Sequence, residues 1–205
     1  MFVSLYSLYP QDPEFKSIAI GLKFKTDVSA SDNGHDQAVS HGGAGVEIDA
    51  KYNSLEYLET MGVRGFLAGQ EGKAGVCDLI LPVESHTFGD IAGSTPRCAA
   101  LTAGGSKAIT LKDALPNKTL RYAGEWIQFA GHDKAYMLTQ NLVTDGSGTA
   151  TINLVPSTYE QILLNEQIII DEVVFKVRAD SDIIKTTIKK GMRYTFSVKF
   201  VEAIR

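Results

Sequence analysis

The stretch "GEWIQFAGHDKAYMLTQ", Gly124 to Gln140, decides how this chain is read. Two apolar-patterned runs flank the polar tetrapeptide Gly131-His132-Asp133-Lys134, and a further run, "LVTDGSGTATINLV", follows from Leu142. His132 beside Asp133 has the composition of an acid–base pair. Neighbours on a strand point to opposite faces, however, so adjacency in sequence does not aim a carboxylate at an imidazole. Catalytic His–Asp pairs are assembled from distant segments. In a Gly-containing turn, Asp bonds to nearby backbone instead. The stretch therefore reads as two strands joined at His132, with the third strand after the "DGSG" turn.

Outward from this point the dominant period is two. "SIAIGLKF" puts Ile18, Ile20, Leu22 and Phe24 on one side. "VEIDAKY" sets Val46, Ile48, Ala50 and Tyr52 against Glu47, Asp49 and Lys51. "RYTFSVKF" sets Tyr194, Phe196, Val198 and Phe200 against Arg193, Thr195, Ser197 and Lys199. Each is a half-buried strand by alternation. "VCDLILPV" and "EVVFKVRA" are more uniformly apolar and read as strands covered on both faces. One segment departs from this period. In "NSLEYLETMGVRGFLAG", Leu55, Leu58, Met61/Gly62 and Phe66 share a helical face; Asn53 is the candidate cap and Gly69 the candidate stop. This predicts one helix at about 53–68, whose Gly62 and Gly65 would allow close packing on a sheet.

Short strands recur between 97 and 160, which reads as a small all-β unit, a barrel or a compact sandwich. The last two strands return to the style of the first half. That return predicts a discontinuous first domain, 1–96 plus 161–205, with 97–160 inserted.

With 205 residues, 44% of them hydrophobic, the chain can bury a substantial core. A net charge of −4 supplies no basic footprint for nucleic acid. Cys77 and Cys98 stand in apolar or small-residue surroundings without metal-ligand spacing and read as packed, reduced thiols. "MFVSLYSLYPQDPEFK" has neither the basic nor the apolar region of a signal peptide, and no apolar run reaches the roughly 18 residues of a membrane span. A soluble product without membrane insertion is expected.

No catalytic set emerges. "HGGAG" (His41 to Gly45) lacks a GxSxG partner and reads as a Gly-Gly turn feeding the next strand. His35-Asp36 adjoins Asn-Gly, a hairpin-turn signal, and "TDGSGTA" reads as another such turn. No cofactor, metal or enzymatic centre is expected. The aromatics Tyr122, Trp126, Phe129 and Tyr136 cluster in the inserted unit, as a stacking platform or simply as its core.

The order of segments resembles the distal tail protein (Dit) family of long-tailed siphophages. The likeness runs through "SHGGAGVEIDAKYNSLEYLETMGVRGFLAG", then "CDLILP", then "GDIAGSTPRCAALTAGG". It continues in "GEWIQFAGHDKAYMLTQNLVTDGSGTATINLVP", similar to the family's "GDxIQxGGxxYxxTQxxxxDGSGxATIxxxP", and ends in "YTFSVKFVEAI". Val46 replaces an aromatic common in the family, and "GHDK" replaces its shorter turn. The resemblance implies a mainly β fold with one helix: a β-sandwich-like domain closed by the C-terminal strands, with an inserted OB-like (oligonucleotide/oligosaccharide-binding-like) β-barrel. It implies a virion protein made in the bacterial cytoplasm, six copies forming a homo-hexamer ring at the tail tip. Its partners would be the tail tube protein, the baseplate hub and the tape-measure protein, with DNA only passing through the channel.

Cyclic assembly needs two complementary faces per subunit. The N-terminal arm offers Phe2, Tyr6 and Tyr9 as intersubunit contacts, or else is a first strand packed on its own core. Asp27, Asp32, Asp36, Glu47 and Asp49 are candidates for an acidic channel face. The alternative is a carbohydrate-binding module using Tyr122, Trp126 and Tyr136. A His132-Asp133 enzyme is the third.

Overall fold

The computed structural model describes residues 7–30, 36–91, 93–191 and 193–204, and only the backbone of 7, 30, 36 and 40–43. The described fold is mainly β with a single helix. In chain order the elements are β1 (Ser7–Leu8), β2 (Phe15–Ala30), β3 (Asp36–Tyr52), α1 (Tyr57–Gly69) and β4 (Cys77–Ile80). There follow β5 (Arg97–Cys98), β6 (Ala108–Lys112), β7 (Thr119–Arg121), β8 (Trp126–Phe129), β9 (Ala135–Leu138) and β10 (Leu142–Val143). The last are β11 (Ala150–Val155), β12 (Ile168–Ile169), β13 (Val174–Ala179), β14 (Thr186–Lys189) and β15 (Arg193–Glu202). They divide into two compact units. The first holds Met1–Leu22, Gly45–Ile80 and Phe175–Arg205; the second holds Lys23–Ala44 and Leu81–Val174.

The first unit is built on a sheet of order β1-β4-β13-β15-β3-β2, with β14 also pairing β15; of β2 and β3 it holds the parts up to Leu22 and from Gly45. Ser197–Val201 run antiparallel to Lys51–Glu47, so the two alternating patterns lie side by side. Their apolar faces coincide: Val46, Ile48, Ala50, Tyr52, Phe196, Val198 and Phe200 are buried. Asp49, Lys51, Ser197 and Lys199 are exposed on the other face. Burial of one face fixes register, because a one-residue slip would turn every apolar side chain to water.

The helix starts later than the sequence suggests. Leu55 forms a β-bridge to Tyr194, with backbone bonds of 2.8 and 3.0 Å, which keeps the chain extended past Asn53. Glu56 is therefore the N-cap, and it exchanges bonds with Glu59 in a capping box. The later start rotates the buried face to Thr60, Val63 and Leu67 and leaves Leu58 81% exposed. Gly62 and Gly65 do not serve close packing, since a Cβ at either would meet nothing within 4 Å. The helix runs through Gly69, and Glu71 and Gly72 take the positive φ that ends it.

The second unit contains an antiparallel sheet of order β12-β8-β9-β11-β6-β5. Its two edge strands meet. Arg97 bridges Gln167, and Cys98 N–H donates to Glu166 O at 2.9 Å while Ile168 N–H donates to Pro96 O at 2.9 Å. These bonds bring the sheet close to a closed barrel, which removes exposed edges. Ile109, Leu111, Leu120, Ile127, Phe129, Leu138, Ile152 and Ile168 fill it. The closing strand β12 lies beyond residue 160, where the sequence-expected insertion stops. A two-residue strand is too short to show alternation.

The opening stretch forms the β8–β9 hairpin, with Trp126 opposite Met137 and Ile127 opposite Tyr136. The "DGSG" turn does not join paired strands: β10 pairs β7, whereas β11 pairs β6 and β9. Asp145 organises it by accepting the N–H groups of Ser147 and Thr149 at 2.8 and 2.9 Å. Gly148 is required there. Its φ is +75°, and a Cβ would stand 2.2 Å from Ala114 O.

Candidate functional site

The most exposed regular structure is the outer part of β2 and β3. From Lys23 to Ser29 the strand alternates, Lys23, Lys25 and Asp27 against Phe24, Thr26 and Val28, yet residues on both faces are exposed. Phe24 is 53% exposed, Val28 65% and Val39, across the hairpin, 50%. β2 also ends the strand order, so one edge of this 16-residue strand has no strand partner among the described residues. A ribbon open on both faces and along one edge gains little from its own contacts. It offers backbone donors and acceptors to another chain, and among the described residues of β2 the charges of Lys23, Lys25 and Asp27 blunt it. "HGGAG" is part of this arm. β3 runs straight through Gly42 and Gly43, so the expected Gly-Gly turn is instead strand. The "SDNGH" connection, and with it His35 and Asp32, lies outside the described residues, as does the side chain of Asp36.

Among the expected N-terminal contacts, Phe2 and Tyr6 lie outside the described residues. Tyr9 is not an intersubunit contact: it is fully buried in its own unit. β1 pairs in parallel with Cys77–Asp78, and Tyr9 N–H donates to Asp78 O at 2.8 Å. This turns the Tyr9 ring inward between Phe66 and Phe200, and its hydroxyl lies 2.6 Å from that of Tyr52. Burial raises both phenols, Tyr52 to about 12.

The expected stacking platform is also corrected. Trp126 and Tyr136 are fully buried, and only Tyr122, 45% exposed, presents a ring. The barrel sheet is covered on both faces of β8, so alternation leaves no aromatic outside. Sequence reasoning missed Phe88, which is 71% exposed. The carboxylate of Glu125 accepts the N–H of Tyr122 at 2.8 Å and of Phe88 at 3.2 Å. One acid thus positions both exposed rings.

His132 is not a solvent-facing tip. It is 4% exposed, with Nδ1 2.8 Å from the Tyr136 hydroxyl and its ring against Phe129 and Tyr159. A different imidazole–carboxylate pair exists: His86 Nδ1 lies 3.2 Å from Asp171 Oδ1. The neighbouring hydroxyl, Ser85 Oγ, is buried and accepts Leu81 N–H at 2.7 Å. Fully buried Arg121 donates to the carbonyls of His86 and Ser85 at 2.7 and 3.2 Å, with Glu125 at 3.7 Å. This group anchors a loop. No signal in the sequence joins His86 to Asp171 across 85 positions.

Cys77 and Cys98 are free and buried, and burial pushes each thiol up to about 12. Of the candidate channel acids, Asp27 and Asp49 are exposed, while Glu47 pairs with Lys199 at 3.2 Å. Among the described residues no cluster of three or more His, Cys, Asp or Glu could hold a metal ion, and no helix is long and apolar enough to cross a membrane. No protein-family model matches the chain, and none of the curated proteins matches it.

Proposed function

We propose that this protein is a structural ring component of a siphophage tail tip. Six copies join the tail tube to the hub and surround the channel through which DNA passes. The observation that carries the reading is the β2–β3 arm, with its open edge and exposed Phe24, Val28 and Val39. An arm of this kind supports association with a neighbouring chain by strand addition, which uses main-chain bonds for affinity. A ring follows when that contact joins two different faces and the rotation closes. The mainly β architecture with one helix, and the barrel-like sheet within the second unit, agree with what the family resemblance implies. The test is to replace residues 24–38 by a short Asn-Gly turn and image the particles by electron microscopy. Loss of rings with retained circular dichroism supports the reading. Unchanged rings would remove the arm from it.

A second reading, a glycan-binding module, has one observation in its favour: Tyr122 and Phe88 are both exposed, and the backbone N–H of each bonds to the Glu125 carboxylate. Glycan titration of the full chain, with Tyr122→Ala as control, tests it.

A further inference from the structure

In the first unit a concave opening of about 620 Å³ lies across β2, β3, β14 and β15. Three ammonium groups line it, Lys16, Lys51 and Lys185, together with the hydroxyls of Thr187, Thr195 and Ser197. Among the described residues no Asp or Glu lines it. Among the described residues none of the three lysines has an ion-pair partner, and none of these hydroxyls is engaged by the protein. The wall offers cationic donors and hydroxyls to a ligand rich in acceptor oxygens.

At the adjoining ends of these strands, with Glu14 just before β2, Asn53 just after β3 and Arg193 opening β15, is an opening of opposite character. Among the described residues Asp12, Glu14, Glu56 and Glu59 line it with one cation, Arg193, which is already 3.2 Å from Glu56. A polyphosphate backbone crossing the lysine wall would run onto these carboxylates, and the chain as a whole carries −4. Nucleic acid therefore fits poorly. The complement that fits is on the protein itself.

We propose that the lysine-lined opening of one copy receives the acidic opening of a second copy, and that this charge contact selects the partner surface in subunit association. It rests on the ring reading in one respect, that the chain associates with itself. Complementary patches of this kind set specificity and encounter rate more than affinity, and exposed pairs are screened by salt.

The test compares association by sedimentation for the native chain, for Lys16→Glu/Lys51→Glu/Lys185→Glu, for Asp12→Lys/Glu14→Lys, and for an equimolar mixture of the two variants. Circular dichroism checks that each is folded. Each reversed set alone is expected to associate on the order of tenfold more weakly at low salt, and the mixture to recover. Association of the lysine-reversed chain at native strength would overturn this contact and leave the ring reading standing, as would a mixture no stronger than its components. A native chain that stays monomeric at every concentration would overturn both.

Discussion

The hydroxyls of Tyr9 and Tyr52 meet at 2.6 Å inside the first unit, where Tyr9 is fully buried. This contact makes Tyr9 part of its own unit's core. Tyr9→Phe leaves the Tyr52 hydroxyl without its partner and is expected to cost about 1 kcal/mol, whereas Tyr9→Ala opens a cavity and costs about 3–5 kcal/mol. Urea denaturation measures both. If Tyr9→Ala left stability intact but abolished association, the buried placement would be wrong.

The same burial sets a pH dependence. Tyr52 is raised to about 12, Tyr9 is raised as well, and Cys77 and Cys98 are each raised to about 12. Each group is neutral when folded and ionises more readily when unfolded. Its stabilisation is complete below the unfolded value and is lost as pH rises through the folded one. Stability should hold to about pH 8.5, where free thiols begin to ionise, and fall progressively towards pH 12. A melting temperature flat from pH 8 to 11.5 would contradict it.

Arg121 ties the carbonyls of Ser85 and His86 to Glu125 from a fully buried position. Arg121→Ala leaves the Glu125 carboxylate and two carbonyls without it and should destabilise by about 3–5 kcal/mol. Arg121→Lys, lacking the fork, should recover less than half of that. Equilibrium unfolding of the two variants decides it, and equal stability of Lys and Arg there would argue against a bidentate anchor.

Two glycines should respond with opposite signs. Gly148→Ala forces a side chain into positive φ against Ala114 O and should cost more than about 1 kcal/mol. Gly62→Ala fills open space on an exposed helical position and should stabilise by roughly 1 kcal/mol. Thermal melts of the pair read the difference directly.

Alternation made the sheet of the first unit legible: Val46, Ile48, Ala50 and Tyr52 on β3, and Phe196, Val198 and Phe200 on β15, are buried as their spacing indicates. The β8–β9 hairpin was legible from two apolar runs flanking the polar Gly131–Lys134 turn. Pairings that depend on distant backbone were not. Leu55 is claimed by Tyr194, which shifts the helix and its buried face. β12 and β5 are two residues each and close the barrel through bonds that leave no periodic trace. Trp126 and Tyr136 have the composition of a stacking surface, but a strand covered on both faces hides them. His132 lies in the turn as read, yet Tyr136 draws its ring inside. His86 and Asp171, 85 positions apart, meet where Arg121 holds the His86 carbonyl, a contact with no local trace in the sequence.

The central claim is that the chain closes on copies of itself. Native mass spectrometry of the purified full chain, across a concentration series and at low salt, tests it most directly. The account predicts a species of six chains that grows with concentration and has no larger open-ended series above it. Monomer at every concentration, or an unlimited ladder of oligomers, would contradict it.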